Sequence, residues 1–291
     1  MDESSELKSY YYAEATALTG KLLLPLEQEI QPQARVTLPD AGGYLAGRAT
    51  KFHVESAISY ESAHTQVAGH EETKTDHGYN TLVTSVVEGL NILDVVTADR
   101  VVAQISTDHP RDGYVPSVTF LGTRFENLRI AGEKVELELC LNFFGKKPEH
   151  NVAYTRNARF MKYVSEQHAR VREQESGHES PLAELLKQFH LTSAESFEKS
   201  TADEENVKCS LVNKAEGTYP GHTSGHIIHV PHFGTIHLAE LKLKHSHFKP
   251  GTRVPRKTHA ELTMIHADMG CIGQGHVQFA TSKTNGMPGT G

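Results

Sequence analysis

Residues 134–144 read KVELELCLNFF, and their alternation decides the fold class. Val135, Leu137, Leu139, Leu141 and Phe143 fall on one face of an extended chain, with Glu136, Glu138, Cys140 and Asn142 on the other. One apolar and one largely polar face predicts a half-buried antiparallel strand. The same texture extends outward through ATALTGKLLLPL, ARVTL, AGRATKFHVESAISYESA, TLVTSVVEGLNIL, VVTADRVVAQIST and SVTFLGTRFENLRIAG, all rich in β-branched or aromatic residues. Turn chemistry separates these segments at PDAGG, DHPRDGYVP and IAGEK. Short strands at such spacing predict a mainly β protein, an antiparallel sandwich or barrel.

From about residue 151 the texture changes. NARFMKYVSEQHARVREQESG is proline-free and rich in helix formers, with Phe160, Val164, Ala169 and Val171 as a sparse apolar stripe. SPLAELLKQFHL adds a second predicted helix, with Ser180 as N-cap, Pro181 at the first helical position and a face of Leu182, Leu185, Leu186 and Phe189. The β pattern resumes at Lys208. The expected organisation is therefore one β domain begun in residues 1–150, a helical insertion at 151–207, completion at 208–282 and a flexible tail at 283–291.

The 291 residues can bury a substantial core, and 37% apolar with 22% charged residues is the composition of a folded chain. No apolar run approaches the roughly 18 residues of a membrane helix. A net charge of -7 with dispersed Lys and Arg gives no footprint for nucleic acid. The start MDESSELKSYYY lacks the basic and apolar parts of a secretory signal, so the chain reads as cytoplasmic, or as extracellular or periplasmic after signal removal. Cys140, Cys209 and Cys271 are too far apart for a zinc ribbon and read as buried thiols, with one disulfide as the alternative.

Ten of the 19 histidines lie between His222 and His276, and HTSGHIIHVPHFGTIHLAELKLKHSH (222–247) is the densest part. Neutral imidazole ligates Zn, Cu, Fe and Ni. The metal-ligand candidates are His226, His229, His237, His245, His247 and His259. Strict alternation places His226 and His229 on opposite faces and His237 with Ala239, Leu241 and Leu243 on a core-like face. It leaves His245-Ser246-His247 as the one local pair sharing a face. No complete ligand set has a recognisable spacing, so the expectation is histidines at strand ends and turns rather than a dedicated catalytic metal. Glu88, Asp94, Asp99 and Asp108 read as solvated turn carboxylates, and no nucleophile elbow, Walker loop or dinucleotide fingerprint is present.

Two resemblances follow from particular residues. Pro250, Gly251, Pro255, His259, Glu261 and Gly270 resemble the first metal motif of the cupins, but Lys257 stands where its first histidine belongs, so no cupin site is carried over. VVTADRVVAQIST and SVTFLGTRFENLRIAGEKVEL (between residues 95 and 137) resemble segments of bacterial extracellular β-rich proteins of choice-of-anchor type. That resemblance implies an exported bacterial β protein without defined chemistry. The leading expectation is a non-catalytic binding or self-assembling β protein, able to form homo-oligomers when a terminal strand such as 12–24 pairs with a second subunit. The alternatives are a metal-dependent enzyme on a β-barrel using the clustered histidines, and a hydrolase or lyase with a barrel cavity.

Overall fold

The computed structural model describes residues 9–24, 27–71, 77–110, 113–175, 203–270 and 273–288. Its long strands are β1 (Ser9–Leu24), β2 (Ser62–Glu71), β3 (His77–Ile92) and β4 (Val96–Pro110), then, after helix α1 (Ala158–Glu175), β5 (Glu204–Ser210), β6 (Ile227–Val230), β7 (Gly234–Phe248), β8 (Pro255–Gly270) and β9 (Gln274–Pro288). They form two antiparallel sheets. One runs β6-β7-β8-β9-β1, with Gln28–Gln33 beyond β1. The other runs β2-β3-β4, with Gly43–Ala49 on the free side of β2 and three short strands along β4. Neither sheet closes on itself, so the architecture is a sandwich and the barrel reading is corrected.

Short side chains explain how closely the sheets approach. Ala13, Ala15, Ala63 and Ala103 are fully buried. The Ser85 hydroxyl of one sheet donates to the Thr16 carbonyl of the other at 2.9 Å, and Ser282 returns the contact to the Ala103 carbonyl at 3.1 Å. Thr81, Thr107 and Thr284 continue this hydroxyl seam. Beside it His109 packs over Gly286, where an added Cβ would lie 2.6 Å from the ring. Hydrogen bonds among these hydroxyls and carbonyls offset the cost of desolvating polar groups in the interior. The sandwich centre thus holds no barrel lumen.

Helix α1 starts at Asn157, whose side-chain oxygen accepts the Phe160 N–H at 3.0 Å, a regular N-cap. It buries Phe160, Met161, Val164 and Val171. Phe160 joins Phe120, Phe143, Phe144 and Tyr154 in an aromatic cluster with ring centroids 4.7–6.1 Å apart. Along the helix Gln167 faces the edge of β5. Its side-chain oxygen accepts the Ser210 N–H at 2.7 Å, and its amide donates to the Ser210 and Val212 carbonyls at 2.9 and 3.1 Å.

Several expectations are corrected. The strand in KVELELCLNFF is only Glu136–Leu139, paired with Val212–Glu216; the chain then turns, and that turn drops both Phe143 and Phe144 into the aromatic cluster. The first predicted helix stands as α1, the one α-helix among the described residues, and the second predicted stretch, 180–191, lies outside them. Residues 283–288 belong to β9 rather than a tail, held because Thr284 and Asn285 are buried between β1 and β8. Strand β1 is paired by β9 on one side and, on the other, by Val36–Thr37 at residues 14–15 and Gln28–Gln33 at residues 18–22, so its middle is not a free edge. Cys140 is half-buried and Cys209 buried, both as free thiols, while Cys271 lies outside the described residues. No helix among the described residues is long and apolar enough to cross a membrane.

Candidate metal centre and binding groove

A left-handed residue in β7 creates the first candidate site. Along one edge of β7, β6 pairs with residues 234–237 and β5 with residues 240–246. At the changeover the Leu238 N–H bonds the His226 carbonyl and the Ala239 carbonyl accepts the Leu211 N–H. Ala239 takes φ 47° there, which breaks the alternation of side chains. His237 and Glu240 consequently share a face, with His237 Nδ1 3.4 Å from Glu240 Oε1. The turn that ends at His226 brings a second imidazole to them, and donor atoms of His226, His237 and Glu240 all lie within 4.8 Å of one another. All three side chains are at most 2% exposed.

The surroundings set the charge of this cluster. Burial lowers the His226 pKa to about 3 despite the opposing pull of Glu240, so its imidazole is neutral at pH 7. Burial pushes the Glu240 carboxyl up, but contact with His237 and the positive charge of Lys208 outweigh it and hold the group well below the usual carboxylate range. Lys208 Nζ lies 2.5 Å from Glu240 Oε1. On its other side His237 Nε2 faces Asp268 Oδ2 at 3.7 Å, and Asp268 also meets His266 Nε2 at 3.3 Å. Helix α1 closes over the group, with Val171 against Gly225 and His168 donating to the Lys208 carbonyl at 2.8 Å.

Of the six histidines predicted as ligands, the fold brings together only His226 and His237. His229 pairs across the hairpin with His222, their ring centroids 5.3 Å apart. His245 is wholly buried elsewhere, where Nε2 accepts the Tyr154 N–H at 3.1 Å and Nδ1 meets the Thr258 hydroxyl at 3.0 Å. His247 has φ 56° and points to solvent beside Asp203, so the expected His245–His247 pair does not share a face. His259 sits on the outer sheet surface near Glu261. Glu240 and Lys208 carried no signal in the local spacing, because strict alternation puts Glu240 opposite His237. Among the carboxylates, Glu88 accepts from Ser62 at 2.6 Å and meets Arg100, Asp94 accepts from Asn91 and Asp99 from Asn127, the behaviour of structural surface groups.

The second candidate site is a groove of about 540 Å³ on the outer face of the β2-β3-β4 sheet. Across its floor run Val86 and Val102, with Gln66, Thr84 and Gln104 in the next row. The Gln66 and Gln104 amides both donate to the Thr84 hydroxyl, at 3.4 and 3.0 Å. Arg48, Arg100, Arg124 and His64 line the walls, and the lining contains no carboxylate among the described residues. Tyr44, 64% exposed, stands at the rim. Gly122 keeps one end open: its φ is +94°, and a Cβ there would lie 2.5 Å from the Gln104 side-chain oxygen.

Residues 9–244 match a protein family described as a domain of unknown function, DUF8256. The match includes His226, His237 and Glu240 and every residue lining the groove. No curated protein matches the chain.

Proposed function

The chain belongs to the DUF8256 family, and with that membership as premise we propose that this protein is a non-catalytic binding protein whose ligand is an acidic oligosaccharide held in the groove of the β2-β3-β4 sheet. One observation carries the reading: Arg48, Arg100, Arg124 and His64 converge on a groove whose lining holds no carboxylate among the described residues, with Glu88 and Glu126 meeting Arg100 and Arg124 from outside it, in a chain of net charge -7. A locally cationic groove on an anionic molecule steers and retains anionic ligands. Guanidinium groups match carboxylate geometry in a bidentate fashion, so Arg48, Arg100 and Arg124 select acidic sugar units. The side chains of Gln66, Thr84 and Gln104 offer donors and acceptors for sugar hydroxyls, and Tyr44 offers an exposed ring to a sugar face. Resemblance to exported β proteins of choice-of-anchor type is consistent with a ligand met outside the cell.

The reading favours binding over catalysis because, among the described residues, the cluster of two imidazoles and a carboxylate at His226, His237 and Glu240 is buried away from this groove, on the other sheet. Calorimetric titration of the full chain with an oligogalacturonate and with its neutral methyl ester tests it. Binding of the acid form alone, weakened at least ~10-fold in Arg100→Ala and Arg124→Ala and by added salt, is expected. Equal binding of both forms, or of neither, overturns it.

A further inference from the structure

We propose that His226, His237 and Glu240 form a structural zinc site that pins the His226 turn to the kink in β7. Two imidazole nitrogens and one carboxylate oxygen are a donor set suited to zinc. Their donor atoms already lie within 4.8 Å of one another. A tetrahedral zinc with bonds of about 2.0–2.1 Å holds its donors roughly 3.3 Å apart, a closure within reach of side-chain rotation. The His237 Nδ1–Glu240 Oε1 separation of 3.4 Å already matches it.

Two further features fit a metal and are not needed by a plain ion pair. His237 is flanked by carboxylates on both ring nitrogens, Glu240 on Nδ1 and Asp268 on Nε2. That is the order metal, imidazole, outer carboxylate, in which the outer group, once drawn into hydrogen-bond reach from 3.7 Å, fixes tautomer and ring orientation. The backbone is also bent to make the cluster: the left-handed Ala239 is unfavourable for a residue with a Cβ, yet it is what turns Glu240 toward His237.

Lys208 sets the site's affinity. Its ammonium stands 2.5 Å from Glu240 Oε1, so a cation already occupies the carboxylate and zinc has to displace it. The Lys208 side chain is 37% exposed and can swing to solvent. The fourth zinc position then falls to water. Three protein ligands and a water are also the coordination of catalytic zinc, but all three ligands here are at most 2% exposed and present no face to a substrate, and that burial makes the centre a staple between elements.

The test uses the full chain without a histidine tag, stripped with chelator and titrated with Zn²⁺ by calorimetry and with Co²⁺ by visible absorption. One equivalent should bind, with the intense d–d bands of tetrahedral Co²⁺ and a raised unfolding temperature. His226→Gln and Glu240→Gln should each weaken Zn²⁺ binding about 100-fold or more, since loss of an outer partner alone costs about 10- to 100-fold, and Lys208→Met should strengthen it. His222→Gln with His229→Gln, the neighbouring imidazole pair, should leave it unchanged. Circular dichroism establishes that each variant is folded. Should Glu240→Gln misfold, Lys208→Met and His226→Gln still decide the matter. Wild-type affinity in folded His226→Gln, or no stoichiometric binding by folded Lys208→Met, overturns the proposal. Neither outcome bears on the sugar groove, which uses none of these residues.

Discussion

At the scale of single residues, two backbone angles in β7 decide what its histidines do. Ala239 at φ 47° turns Glu240 to the side of His237, and His247 at φ 56° sends its own ring to solvent away from His245. An alanine methyl tolerates the left-handed region at modest cost, whereas a β-branched side chain does not. Ala239→Val should therefore destabilise the protein by about 2–4 kcal/mol, from backbone strain and overpacking together. Ala239→Gly should stay within about 1 kcal/mol of wild type, as relief of strain offsets the lost methyl. Urea unfolding midpoints check both, and equal midpoints for the two variants would refute the role given to this angle. His245 makes a second case. Loss of its ring in His245→Ala leaves the buried Tyr154 N–H unsatisfied and opens a cavity, a cost of about 2–4 kcal/mol. These facts also mark the limit of sequence reading. Histidine density singles out the 26 residues that contain His226, His237 and Glu240, but strict alternation assumes an unbroken strand. Neither Ala239 nor His247 carries the glycine signature that announces a positive φ.

Among elements, the strands were legible and their lengths were not. Alternation in the β2, β3 and β4 segments follows from one face meeting the opposite sheet and the other meeting solvent, which composition records directly. The extent of KVELELCLNFF was misread because its last residues are drawn into the aromatic cluster beneath α1, a tertiary contact that overrides local pattern. The groove was invisible for a related reason. Arg48, Arg100 and Arg124 come from three strands whose register only the folded sheet supplies. Helix α1 depends on one side chain for its seat. Gln167 is 1% exposed and supplies the three hydrogen bonds that another strand would give to residues 210 and 212. Gln167→Leu keeps comparable volume while leaving those backbone groups buried and unpaired, so a loss of about 2–4 kcal/mol is expected. Hydrogen exchange should locate it: the Ser210 amide should exchange faster while amides in β8 and β9 stay protected. Unchanged protection at Ser210 would show that the helix does not rely on this latch.

For the molecule as a whole, the filled interior makes stability depend on pH through imidazoles that the fold keeps neutral. His109 sits between the sheets, and burial, aided by the nearby positive charge of Lys147, lowers its pKa to about 3. Burial alone lowers His245 to about 3, at the junction of β7, β8 and the segment carrying Tyr154. An unfolded histidine titrates near 6.5. Between these values the unfolded chain binds protons that the folded one refuses, so stability rises with pH across that interval. Their contribution is fully present above about pH 6.5 and is lost as pH falls toward 3. Each ring contributes a slope approaching ~1.4 kcal/mol per pH unit, so acidification from about pH 7 to about pH 5 should cost roughly 2–4 kcal/mol for the pair. The depressed carboxyls of Glu261 and Asp268 act in a lower window: their stabilisation is present above the ordinary carboxylate pKa and lost below it. The two windows overlap below the ordinary glutamate value of 4.5, and above it the imidazoles dominate. Urea unfolding at the two pH values should show the fall in wild type and a flatter response in a folded His109→Gln, His245→Gln double variant, since glutamine keeps polar contacts without titrating. A wild-type midpoint constant over that range would mean that both rings accept protons within the fold, and that the seam around His109 admits charge in spite of its packing.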